Sequence, residues 1–167
     1  MYRKKITLFL LCLLGAVAQS QAQELILLWP AGEMPNSRGL ERTDEEARQR
    51  ITRVAEPGMY AFFTSQEEQK GSAVLICPPG GYGKLAYQIA GFQFAKWLNT
   101  LGIHAFVLIH RLPTEPDLIT REQGPLQDAQ RALKIIRSRA AEWAIDPDRI
   151  GVMGASAGGH LASTLGT

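Results

Sequence analysis

Cysteine is scarce in this chain, with two residues in 167. Cys12 lies inside an apolar N-terminal run and Cys77 stands alone in the body of the chain. That excludes an internal disulfide framework. Long apolar stretches are lacking too: Ile6 to Val17 falls short of the roughly 20 residues that a helical membrane span takes. There is no excess of charge of one sign, since 18 Lys and Arg face 16 Asp and Glu. Such a balance gives no footing for nucleic acid or for a charged membrane surface. Internal repeats and low-complexity segments are absent as well, which points to one domain.

What is present begins with an export pattern. Arg3, Lys4 and Lys5 precede the apolar run, and Ser20-Gln21-Ala22 puts small residues at both positions that a signal peptidase reads. We expect residues 1–22 to be a signal peptide cleaved after Ala22. The alternative is an uncleaved anchor. Leu11 before Cys12 argues against lipid attachment, which wants a small residue there. Removing 22 of 167 residues leaves 145, and removing three of the 18 basic residues leaves 15 against 16 acidic. A near-neutral domain of that size can bury its own core. It has no membrane attachment once the signal is gone.

Patterning then predicts the elements. Residues 24–29 and 60–63 read as short strands, and 31–50 as a polar surface connection with at most a helical turn. Ala73 to Cys77 is a continuous apolar run of the kind found in strands buried on both faces, with Cys77 an inert core thiol. A helix from Ala90 to Leu101, a strand from His104 to Ile109 and a second helix beginning at Gly124-Pro125 follow. Leu126, Ala129, Leu133, Ile136, Ala140 and Trp143 form one apolar stripe on that helix. Asp128, near its start, is expected to favour the helix dipole. The alternation of strand and helix predicts an α/β fold, a mainly parallel sheet with helices on both faces and right-handed crossovers.

Two glycine-rich loops carry the chemistry. Gly154-Ala155-Ser156-Ala157-Gly158 lies between an apolar strand and a helix-forming stretch, the setting of a nucleophile elbow. There the serine takes a positive φ, and the flanking glycines approach too closely for a Cβ. The Ala157 N–H, at a helix N-terminus, is placed for an oxyanion. Pro78-Pro79-Gly80-Gly81-Tyr82-Gly83 follows the Cys77 strand, and Gly80 and Gly81 are the candidate donors opposite Ala157. A plain tight turn is the bland alternative. A phosphate-binding P-loop is excluded by Pro78 and Leu85. Gly81 to Ala86 fits a dinucleotide fingerprint, but the next strand ends in His110-Arg111, without the acid that would hold a ribose. No cofactor and no metal are expected.

A catalytic serine needs a histidine and a carboxylate, which in this chain order follow it. Beyond Ser156 there is one histidine, His160, and no acid. His160 is expected to point into the helix packing as a hydrogen-bonded structural residue. His110 reads as a pocket wall at the ligand-binding edge, and His104 as structural at the opposite edge.

Taken together, these stretches resemble secreted α/β-hydrolase esterases akin to acetyl xylan esterases, in the hormone-sensitive-lipase-like branch. The likeness runs over residues 25–167 and is carried by Leu28-Trp29-Pro30, Cys77 to Tyr82, Lys96-Trp97-Leu98, Arg111-Leu112-Pro113, Pro125 to Ala132, Asp146 to Gly151 and Gly154 to Ala162. The resemblance implies a serine hydrolase that removes acetyl groups from plant polysaccharide such as xylan. It implies Ser156 as nucleophile and Gly80 and Gly81 as oxyanion donors, with Pro79 in place of the first of three glycines. It also implies that residues 23–167 are the N-terminal part of a single domain, lacking the last strands, the acid and the histidine. A non-catalytic remnant and a prolyl-oligopeptidase-like peptidase are the competing readings. The expected partner is a small acyl ester or an acetylated polysaccharide, and the oligomeric state is open.

Overall fold

A computed structural model describes Gln23 and residues 25–166. The expected signal segment 1–22 lies outside the described residues. The elements are β1 (Leu25–Leu27), β2 (Glu45–Ala47), β3 (Arg50–Arg53), β4 (Gly58–Phe62), β5 (Ser72–Cys77), α1 (Gln93–Thr100), β6 (Ile103–Ile109), α2 (Gln123–Ser138), β7 (Ile150–Gly154) and α3 (Ala157–Leu165).

Five strands form one sheet in the order β1-β4-β6-β5-β7. Strand β4 is antiparallel to both neighbours, whereas β6, β5 and β7 are mutually parallel. Four of the five strands therefore run the same way, as the alternating pattern predicts. The central β6 supplies Ala105, Phe106, Val107 and Leu108, all without solvent exposure. Its even and odd residues serve opposite faces. Phe106 and Leu108 pack with Leu75 and Cys77 under α2 and α3, while Val107 and Ile109 pack with Ile76 under α1. Helices thus cover both faces, which is why β6 reads as an unbroken apolar run.

Register fixes one rim. Leu27 pairs with Gly58, Gly58 with Ile109, Ile76 with Val107 and Cys77 with Gly154. The carboxyl ends of β1, β6, β5 and β7 therefore emerge together, and all the loops with candidate chemistry start there.

Three local expectations are corrected. Within residues 31–50, and continuing to Arg53, the chain makes no helix but a β2–β3 hairpin, turned by Arg48 and Gln49 at φ 52° and 61°. Two successive positive φ values suit the right-handed strand twist, though neither residue is the usual glycine or asparagine. The first helix begins earlier, as a π-helical segment, Gln88–Phe92, running on into α1. Helix α2 stops at Ser138, so Trp143 lies past its end. Trp143 nonetheless reaches the same core, packing on Phe106 at 5.1 Å between ring centres.

Candidate active site

Ser156 stands between β7 and α3 with φ 53° and ψ −124°. A non-glycine residue there stores of order 1–3 kcal/mol of strain, and such strain concentrates where structure is over-determined for function. The restraint comes from the flanking glycines. A Cβ on Gly154 would run into the Gly158 carbonyl, and one on Gly158 would run into the carbonyl of Cys77 and lie 2.7 Å from that of Pro78. The tight elbow is thus wedged against the end of β5. Ser156 itself is exposed.

The loop after β5 is equally constrained. Gly80 has φ 153° and Gly81 φ 62°, and a Cβ on Gly80 would collide with the Lys84 carbonyl. Bonds from Gly83 N–H to Gly80 O at 3.2 Å and from Ala86 N–H to Pro79 O at 2.9 Å close it. Among the described residues the N–H groups of Gly80, Gly81 and Ala157 have no acceptor. Because Gly158 touches the Cys77 and Pro78 carbonyls, the two loops carrying these donors are in direct contact.

Tyr82, which the sequence does not single out, joins the two loops a second time. Its hydroxyl lies 2.9 Å from Nδ1 of His160, with the two rings edge-on at 5.9 Å. His160 is therefore hydrogen-bonded as expected, but it is exposed against Tyr82 rather than turned into the helix packing. Its position four residues after Ser156 puts it on the α3 face that looks across to the Gly80 loop. The Tyr82 ring is also 6.2 Å from that of His110. Burial, with a smaller contribution from nearby Cys77, holds the Tyr82 phenol above its ordinary value, so it stays protonated at neutral pH.

His110 is 1% exposed and its Nδ1 is 2.7 Å from the Arg111 carbonyl, to which it donates. Burial lowers its pKa, against smaller opposing effects of that bond and of Asp128, and keeps the ring neutral. His104 sits at the opposite rim, accepting from Thr64 N–H at 3.2 Å and lying 3.3 Å from Gln69 Oε1. Among the described residues none of the three histidines is bonded to the Ser156 hydroxyl, which has no partner. Cys77 is fully buried, and burial pushes its thiol up to about 12, so it is no competing nucleophile.

Asp128 departs furthest from expectation. It lies in the second turn of α2, not at a solvated helix start, and has no solvent exposure. Its carboxylate accepts from Arg111 Nε at 3.0 Å, Arg111 Nη2 at 2.8 Å, the Arg111 backbone N–H at 2.8 Å and Trp29 Nε1 at 2.8 Å. Arg111 Nη1 reaches on to the Pro35 carbonyl at 2.6 Å. One buried ion pair thus ties the ends of β1 and β6 and the loop after β1 to α2. The sequence signal for it was weak: Asp128 adjoins Ala129 of the apolar stripe, at a border where a charge goes inward only with a partner.

Against known proteins, a family model described as BD-FAE matches residues 113–167. The chain is 40% identical over 101 residues to an acetylxylan esterase of Xylanibacter ruminicola, covering 60% of this chain and 20% of that protein. It is 29% identical over 109 residues to an endo-1,4-beta-xylanase B of Butyrivibrio fibrisolvens, covering 65% and 17%. Among solved structures, an acetyl ester-xyloside bifunctional hydrolase from Caldicellulosiruptor lactoaceticus superposes with a TM-score of 0.69 at 33% identity, over 87% of this chain and 47% of that one. An α/β hydrolase from a Medee basin deep-sea metagenome library gives 0.55 at 30%, over 77% and 52%. The chain thus spans about a fifth of these curated relatives and about half of these structural ones. Its own topology and these likenesses make it an α/β-hydrolase fold that resembles acetyl xylan esterases.

Proposed function

We propose that this chain bears the nucleophile and oxyanion hole of a serine carboxylic-ester hydrolase that removes acetyl groups from plant polysaccharide such as acetylated xylan. The observation that carries the reading is the positive φ of Ser156 at a strand-to-helix turn locked by Gly154 and Gly158. The Ser156 oxygen attacks the ester carbonyl carbon as its proton passes to a base. The carbonyl oxygen gains negative charge opposite the free N–H groups of Gly80, Gly81 and Ala157. Fixed donors of this kind contribute about 3–4 kcal/mol each to lowering the barrier. Collapse breaks the bond to the sugar oxygen, which takes up that proton to become a hydroxyl, and leaves an acetyl-serine that water hydrolyses to acetate and free Ser156. The relatives named for xylan esters and xylosides support this substrate class.

In this reading residues 23–167 are the N-terminal part of one catalytic domain, and the base and acid are not among the described residues. The partial coverage of the relatives supports that. Residues 1–22 direct export to the periplasm or medium. Detection of a secreted form beginning at Gln23 tests this point.

A second reading, a chain without catalytic competence by itself, is favoured by the unpartnered Ser156 hydroxyl. A fluorophosphonate probe on the folded chain separates the two. Labelling that disappears in Ser156→Ala supports the hydrolase, whereas folded protein that takes no label leaves the second reading.

A further inference from the structure

We propose that a cavity at the far end of the same rim binds one sugar ring of a carbohydrate chain whose ester is presented to Ser156. The proposal rests on the hydrolase reading for its biological use, but not for the binding itself. The cavity has a volume of about 220 Å³ and is lined by Leu27, Trp29, Ser37, Leu40, Arg42 and Glu56, among others. Leu27 ends β1, and the register places that end level with Ile109 and hence with the carboxyl ends of β5 and β7. Four strand spacings of about 4.8 Å separate β1 from β7, so the cavity and the elbow lie on the order of 19 Å apart along the rim. A small ester cannot bridge that distance. A polymer can.

The lining specifies the class of occupant. Sugar rings combine apolar C–H faces with a girdle of hydroxyls, so they need a rigid apolar wall edged by donors and acceptors. Trp29 is such a wall, pinned by its Nε1 bond to Asp128 and with the Arg131 guanidinium 5.4 Å from its ring centre. Leu27 and Leu40 are about half exposed and add apolar surface. Arg42 supplies the edge. Its Nη1 is held by Asp117 at 3.1 Å and lies 3.4 Å from Ser37 Oγ, while among the described residues its Nη2 has no partner and its Nε is buried without an acceptor. The guanidinium is thus oriented but under-used. With the Glu56 and Asp117 carboxylates close by, the site has no net positive field to select an anion, which points to a neutral polyol. The volume suits one ring rather than a folded partner.

Ligand-observed NMR and calorimetry on the full chain with an unacetylated xylo-oligosaccharide test this without any ester chemistry. The wild-type chain is expected to bind. Arg42→Lys, which keeps a cation beside the buried Asp117 but removes the guanidinium edge, and independently the surface substitution Leu40→Asp, are expected to weaken binding about fivefold or more, with the folding of each variant checked by thermal melting. Ser156→Ala is expected to bind as the wild type does. Folded protein that binds no oligosaccharide, or Arg42 and Leu40 variants that bind like the wild type, overturns the proposal. Fluorophosphonate labelling in the same samples keeps the two readings apart. Labelled Ser156 without sugar binding defeats the cavity alone, and sugar binding without labelling upholds the cavity and leaves the chain without catalytic competence by itself.

Discussion

The Arg111 guanidinium and the Asp128 carboxylate meet at 2.8 Å, with side chains 1% and 0% exposed. Every oxygen of the carboxylate is occupied, and the arginine is also bonded to the Pro35 carbonyl. Removing one partner strands the other charge out of water. Asp128→Ala is therefore expected to destabilise the fold by about 3–5 kcal/mol, read from urea midpoints. An apolar double replacement, Arg111→Met with Asp128→Leu, is expected to recover much of that loss. A double variant as unstable as the single one would show that the pair's geometry, and not its charge balance, supports the rim.

Glycines in the two loops are not equivalent. A Cβ on Gly158 meets backbone carbonyls that cannot turn aside, whereas one on Gly81 meets nothing within 4 Å and is penalised only by φ 62°. Gly158→Ala is expected to disrupt the elbow and abolish labelling of Ser156. Gly81→Ala is expected to cost about 1–2 kcal/mol of backbone strain and leave the chain folded. Denaturation curves of the two variants give the comparison.

Between Tyr82 and His160 runs a side-chain bond joining the Gly80–Gly81 loop to α3. Because it is partly solvated, Tyr82→Phe is expected to change stability by no more than about 1.5 kcal/mol. The same substitution is expected to slow labelling of Ser156 by about tenfold, through loosened spacing of the donors. Combined with His160→Ala it should have little further effect, a non-additivity that a double-mutant cycle measures.

Burial lowers the His110 pKa, so the folded chain resists a proton that the unfolded chain takes up below about pH 6.5. Protons bound preferentially by the unfolded state lower stability as pH falls. His104, shifted the same way by burial, adds to the effect. Melting temperature is therefore expected to decline as pH drops through 6.5, with a slope of up to about 1.4 kcal/mol per pH unit for each histidine. A His110→Gln variant should show a shallower decline. An unchanged slope would exclude His110 as its source.

The strand at Ser72–Cys77, the strand at Ile103–Ile109 and the elbow were legible because each is governed by neighbours in sequence. A run of apolar residues demands two covered faces, and glycines two positions either side of a serine permit one sharp turn. The β2–β3 hairpin was not legible, since Arg48 and Gln49 carry no turn signal and four of the seven strand residues are charged. The role of Asp128 was missed for a different reason. Its nearest sequence neighbours say helix and little else, while its partners are 17 and 99 residues away.

By itself the sequence determined the order of strands and helices from β4 to α3, the location of Ser156 at a turn and the need for glycine around it, because these depend on local sterics and periodicity. Only the tertiary structure decided that Gly158 abuts the end of β5, that Tyr82 meets His160 and that Trp29 shares a rim with Ser156. Those relationships depend on strand register and on which loops the sheet brings side by side. No local pattern encodes a contact between residues so far apart in the chain.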